Sequence, residues 1–249
     1  MSAPRRGGRA ARLAAAARPG PGSPPDAPAL SDEALTGRGL EVAPAVDRAG
    51  RVLAIACGAL AREILALTAQ PGLGHVDLHC LPAILHNHPE RIAPAVERAV
   101  AERAAGYGAV VVAYADCGTG GALEALCARI GARMLPGAHC YAFFEGVDAF
   151  AARGEIDAFY LTDFLARQFD AFVTKPLGLD RHPELRGTYF GHYRRLVYLA
   201  QTDDAALDAK ARAAADALGL RYERRPTGLA PFDVALREAL PVDPGADDA

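Results

Sequence analysis

The chain has 249 residues, 51% of them hydrophobic and 23% charged, with a formal net charge of -3 at pH 7. These values suit a soluble globular protein with a substantial core, and they provide no electrostatic field for nucleic acid or an anionic membrane. No apolar run reaches the roughly 18 residues of a spanning helix, and five cysteines, an odd number in a chain this long, argue against a disulfide framework. With no clear signal peptide, a reducing cytoplasm is the expected setting.

Residues 1–48 differ from the rest. Up to Leu30 the segment is dominated by Ala, Arg, Gly and Pro, and Pro19, Pro21, Pro24, Pro25 and Pro28 break any continuous element. Such a composition buries too little apolar surface to offset its ordering entropy, so a disordered tail is expected. The globular region, 49–240, opens with an apolar strand at 51–56. Cys57-Gly58 turns the chain into a helix over 59–69, with Leu60, Ile64 and Leu67 on one face, stopped by Pro71-Gly72-Leu73-Gly74. A second strand covers 75–80. A short helical turn follows near 84–86, then a helix from 89 to 105 that buries Ile92, Val96 and Val100.

The third strand, 109–115, is the most apolar of all. It runs directly into Asp116-Cys117-Gly118-Thr119-Gly120-Gly121, and a helix follows over 122–130. Further on the pattern reads as an extended segment at 132–136, a helix over 143–153, a helix over 163–170 and a strand near 171–174. Next come a helix over 182–193, a strand at 195–199, a helix over 204–218, a strand at 220–223 and a helix over 232–240. A loose acidic tail, 241–249, closes the chain. Strands alternating with helices imply a single α/β domain, three-layered and doubly wound around a mostly parallel sheet, Rossmann-like in class.

Cys57, Cys80, Cys117 and Cys140 each fall at or just beyond the end of an expected strand. In a parallel sheet those ends share one edge, where open α/β sheets bind their ligands. Cys127 sits mid-helix at apolar spacing and reads as core. Buried packing would explain any one of the four, but they have company: His79 precedes Cys80, His139 precedes Cys140, and His86 and His88 follow shortly after Cys80. Cys and His are ligands of zinc and related metals, and a site built from separate loops leaves room for an open coordination position. The candidate ligands are therefore Cys57, Cys80, Cys117, His139 and Cys140. Asp116 and Cys117 are the candidate catalytic pair, although Asp116 suits a turn cap equally well. Gly118, Thr119, Gly120 and Gly121 allow close approach of a cofactor or anion to backbone, or simply a sharp turn. Glu63, Glu145, Asp163 and Lys175 are weaker candidates, and Thr162 has the look of an N-cap.

Ala56-Cys57-Gly58-Ala59-Leu60, Asp116-Cys117-Gly118-Thr119-Gly120-Gly121 and His139-Cys140-Tyr141 together resemble the bacterial and archaeal domain-of-unknown-function family 1638, across roughly 50–240. The resemblance brings no established activity. It implies an association with corrinoid proteins and corrinoid-dependent methyltransferases, and so a possible partner of that kind beside a small-molecule substrate. Three functions are weighed. The first is a zinc-like thiolate site in corrinoid-linked one-carbon or methyl transfer, that is, a metal-dependent methyltransferase, with an iron–sulfur cluster or a corrinoid as alternative cofactors. The second is a non-enzymatic accessory protein that handles a corrinoid or a metal. The third is a metal-free two-cysteine enzyme of racemase type using Cys57 and Cys117. Those racemases, however, carry Asn-Thr and Thr-His after their cysteines, where this chain has Gly58-Ala59 and Gly118-Thr119.

Overall fold

Ser31 accepts a hydrogen bond from the Ala34 amide and so caps a helix, α1 (Asp32–Gly37), inside the segment expected to be a tail. A two-residue strand, β1 (Leu40–Glu41), follows. The computed structural model describes residues 30–41 and 47–241. Within them, α1 and β1 correct the expectation of disorder for that part of 1–48. The remainder of that segment, and the acidic tail beyond Pro241, lie outside the described residues. Asp32 anchors α1 through Arg62 at 2.5 Å and Arg167 at 3.2 Å, and Leu35 is buried beneath it. A Cβ at Gly39 would lie 1.9 Å from the Cys80 carbonyl oxygen, so only glycine lets this segment reach the sheet.

The main sheet is built from β1, β2 (Val52–Cys57), β3 (Val76–Leu81), β4 (Ala109–Ala113) and β5 (Arg133–Met134). Its order is β1-β3-β2-β4-β5. β2 to β5 run parallel, and β1 lies antiparallel on the edge. All six residues of β2 are buried, as a central parallel strand covered on both faces requires. The covering helices are α2 (Ala61–Thr68), α3 (Ile92–Arg103) and α4 (Ala122–Ile130), with α2 against β3 and α3 against both β2 and α4.

The second half contributes α5 (Val147–Arg153), β6 (Ala158–Leu161), α6 (Asp163–Arg167), α7 (Arg186–Phe190), β7 (Arg195–Ala200), α8 (Ala205–Leu218), β8 (Arg221–Pro226) and α9 (Ala230–Ala239). Its strands form a separate three-stranded sheet, all parallel, in the order β6-β7-β8. One core joins the two sheets: Ile55 and Val112 belong to the same buried cluster as Leu161, Leu196 and Phe232. The result is a single mixed α/β domain, mostly parallel and consistent with a Rossmann-like fold, whose strands divide between two sheets. No helix among the described residues is long and apolar enough to cross a membrane.

Several local expectations change. Residues 171–174, expected as a strand, lie in a π-helical turn, Asp170–Thr174; a short apolar run does not distinguish strand from helix. The strand of that region is β6, which the sequence pattern passed over. The expected helix over 143–153 is divided at Gly146 into a 3-10 turn, Cys140–Phe144, and α5. The helix expected over 182–193 reduces to a 3-10 turn, Pro183–Leu185, and α7.

Glu63 on α2 is only 6% exposed. Burial raises its pKa to about 7, from 4.5 for the free group. The folded carboxyl therefore holds a proton that the unfolded one releases, and stability present below 4.5 is lost as pH rises to 7. The loss is about 3 kcal/mol. Glu63→Gln is expected to remove it, giving a urea midpoint near wild type at pH 5 and above wild type at pH 8. Parallel stability–pH curves for the two proteins would refute this assignment.

Candidate functional site

Two strand ends and one turn deliver the site. β2 ends in Cys57, whose Sγ accepts a hydrogen bond from the Ala59 amide at 3.5 Å. β4 continues through Tyr114 and Ala115 into the Asp116–Gly121 loop, which carries Cys117. The turn Cys140–Phe144 carries Cys140. Backbone bonds from Asp116 N to the Gly137 carbonyl (3.0 Å) and from Cys117 N to the Ala138 carbonyl (2.9 Å) join the last two segments. They bring Cys117 Sγ to 2.8 Å from Cys140 Sγ, which also accepts from the Ala115 amide at 3.5 Å.

The glycine loop serves Cys117 by its shape. Gly118, Gly120 and Gly121 have φ of +83°, +62° and +86°, and Cys117 itself stands at +50°, a conformation uncommon for a residue with a Cβ. This left-handed run turns the chain sharply from β4 into α4 and leaves Cys117 half-buried. Of the two roles open to Asp116, the structure shows the turn cap. One carboxylate oxygen accepts from the Thr119 hydroxyl (2.7 Å) and the Gly121 amide (2.8 Å), the other from the Gly120 amide (3.1 Å). These donors, Gly121 first, hold the Asp116 carboxyl below its usual range. The amides of Gly120 and Gly121 are thus turned inward on Asp116 rather than toward an external anion, and Thr119 Oγ1 accepts from Leu123 N at 3.3 Å.

Electrostatics separate the thiols. The hydrogen bond between Cys117 and Cys140, which Cys140 donates once Cys117 is ionised, holds the Cys117 pKa below the ordinary thiol value against burial. The same bond, with burial, drives Cys140 well above it. Burial pushes Cys57 up to about 12 and Cys80 well above its ordinary value. Cys117 is therefore the sulfur set up to be a thiolate.

Cys57, Cys117 and Cys140 line one small cavity of about 60 Å³ together with Tyr114, His86 and His139. The Tyr114 hydroxyl is buried there beside the Cys57 sulfur, and its pKa is raised well above the ordinary value by burial and by Cys57, Cys140, Cys80 and Cys117 around it. Desolvation holds His86 and His139 below their ordinary pKa, so both imidazoles are neutral at pH 7. Through His86, Cys117, His139, Tyr141, Leu165 and Phe172 the cavity continues into a cleft of about 540 Å³ at the second sheet. Among the described residues, no Asp, Glu, Lys or Arg lines that cleft. Its walls are aromatic: Tyr141 stacks on Tyr160 at 5.2 Å and on His139 at 5.0 Å. The turn bearing Cys140 is tied to the second sheet by Arg225, which bonds Glu155 at 2.8 Å and Glu145 at 3.4 Å.

Of the four strand-end cysteines the structure brings Cys57, Cys117 and Cys140 onto one cavity, with His139, His86 and the unforeseen Tyr114 beside them. Cys80 is a correction. It lies one residue before the end of β3 and points into the core, 1% exposed, behind Cys57 and outside the cavity. His79, its neighbour, takes the opposite face and lines a polar recess with Glu102 and Arg103. His88 is exposed beside Glu90, and Cys127 is buried in α4. Thr162 is the N-cap of α6, accepting from the Leu165 amide at 3.3 Å. Among the described residues, no group of three or more His, Cys, Asp or Glu side chains is already disposed as a metal-ligand set.

A family model described as a protein of unknown function, DUF1638, matches residues 80–236. That span includes Cys80, Cys117, His139 and Cys140, while Cys57 precedes it. Neither the curated proteins nor the solved structures contain a match.

Proposed function

The chain belongs to the DUF1638 family, and from that premise we propose that its thiol-lined cavity is a soft-metal thiolate centre acting in one-carbon transfer on a small molecule held in the cleft. The observation that supports this is the convergence of Cys57, Cys117, Cys140 and the buried Tyr114 hydroxyl on one small cavity. Thiolates and neutral imidazoles are the donors that zinc prefers, and the cavity walls supply both. Two sulfurs on one tetrahedral zinc, at about 2.3 Å each, are about 3.8 Å apart. Cys117 and Cys140, at 2.8 Å, would part by about 1 Å to share the ion.

Zinc bound there would keep a thiol ionised near neutral pH. The chain's own residues do the rest. Cys57, Cys117 and Cys140 would hold the metal, Cys117 faces the cleft, and the aromatic walls exclude water from the reacting group. The family resemblance makes a corrinoid protein or methyltransferase the proposed partner. Five free thiols suit a reducing cytoplasm as the proposed setting.

The test is metal analysis of anaerobically purified protein. About one zinc or iron per chain is expected in wild type, lost on Cys57→Ser, Cys117→Ser and Cys140→Ser and retained on Cys80→Ser and Cys127→Ser. Wild-type protein free of metal, with its cavity thiols open to alkylation, would defeat the proposal.

A further inference from the structure

Two of the cavity's sulfurs lie close together: Cys117 Sγ and Cys140 Sγ stand 2.8 Å apart. A disulfide bond is about 2.05 Å long, so bond formation requires the sulfurs to close by less than about 1 Å. The two also differ in access. Cys117 lines both the inner cavity and the outer cleft, whereas Cys140 lines only the inner cavity. A reagent arriving through the cleft meets Cys117 first and Cys140 lies directly behind it, as an attacking and a resolving thiol must be arranged.

We propose that Cys117 and Cys140 are a dithiol–disulfide couple whose exchange partners are uncharged, low-molecular-weight disulfides that enter through the cleft. The Cys117 sulfur attacks one sulfur of the incoming disulfide RSSR. A Cys117–S–S–R bond forms, the RS–SR bond breaks, and RS⁻ leaves and takes up a proton. The Cys140 sulfur then attacks Cys117 Sγ, forms the Cys117–Cys140 bond and expels the second RS⁻, which is protonated in turn. Two protein thiols are oxidised by two electrons, RSSR is reduced to two RSH, and the two thiol protons end on those products. The uncharged lining of the cleft selects the partner. A charged disulfide would have to shed its hydration with no counter-charge to meet it, while an uncharged one carries no such cost.

This inference rests on the sulfur pair and the cleft, and it stands whether or not the cavity takes a metal. The test treats reduced full-length protein, freed of metal by a chelator, with 2-hydroxyethyl disulfide or with glutathione disulfide, and follows intact mass and cross-linked peptides. The expected product is a Cys117–Cys140 bond, formed at least about tenfold faster with the uncharged reagent. In Cys140→Ser the reaction should stop at a hydroxyethylthio adduct on Cys117. In Cys117→Ser both outcomes should disappear while Cys140 stays reduced. A mixed disulfide that persists on wild-type Cys117, a bond to another cysteine, or equal rates for the two reagents would overturn the proposal. Failure of the metal reading would show separately, as protein purified without metal that still closes this disulfide.

Discussion

Replacing Asp163 by alanine is expected to lower the free energy of unfolding by about 4 kcal/mol. Asp163 opens α6 directly after β6 and is 1% exposed. One of its oxygens accepts from the Tyr198 hydroxyl (2.7 Å) and the Gln201 amide (3.1 Å). The other accepts from the Thr202 amide (3.1 Å) and hydroxyl (2.5 Å). Alanine leaves all four donors without their acceptor. Thr202 is exposed and can turn to water, but Tyr198 and Gln201 are buried, so the cost is concentrated on those two. Asparagine keeps one accepting oxygen and places an amide against the donors of Thr202, and its expected loss is about half as large. Urea unfolding measures both, and a loss below about 1 kcal/mol for alanine would mean that this carboxylate does not hold the C-terminal ends of β6 and β7 together.

The grouping of the thiols was legible in the sequence because a parallel sheet carries all its carboxyl ends on one edge. Strands ending at Cys57 and just before Cys117 were enough to place those two as neighbours. Cys140 was placed correctly for a reason no residue pattern displays. What aligns it with Cys117 is a pair of backbone bonds, from 116 and 117 to 137 and 138. Cys80 was misplaced because β3 runs one residue further than its apolar pattern suggests, to Leu81. Alternation along the strand then turns Cys80 inward and His79 out.

The glycine loop shows the limit more clearly. Its composition allowed an anion nest or a tight turn, and only the positions of the Asp116 oxygens decide for the turn. α1 was hidden for another reason. The Pro-rich composition of the first thirty residues masked a good start signal, Ser31-Asp32-Glu33 ahead of the buried Leu35. β6 is four residues long, and a run that short carries little periodicity to read.

The proposed chemistry belongs to Cys117, with Cys140 beside it at the base of the cleft. The most direct measurement is competitive alkylation, with limiting iodoacetamide added to reduced, chelator-treated protein and modification read residue by residue. Burial holds Cys57 and Cys80 above the ordinary thiol value of 9.0, and the bond to Cys117 with burial does so for Cys140, while the bond to Cys140 holds Cys117 below it. Since the thiolate is the reacting form, at pH 7 Cys117 is expected to react at least about 100-fold faster than those three. Its rate should reach half-maximum at a pH below 9.0, and Cys140→Ala should move that midpoint upward by removing the S–H donor. Labelling of Cys127 or Cys80 ahead of Cys117, or a Cys117 profile that Cys140→Ala leaves unmoved, would contradict the account.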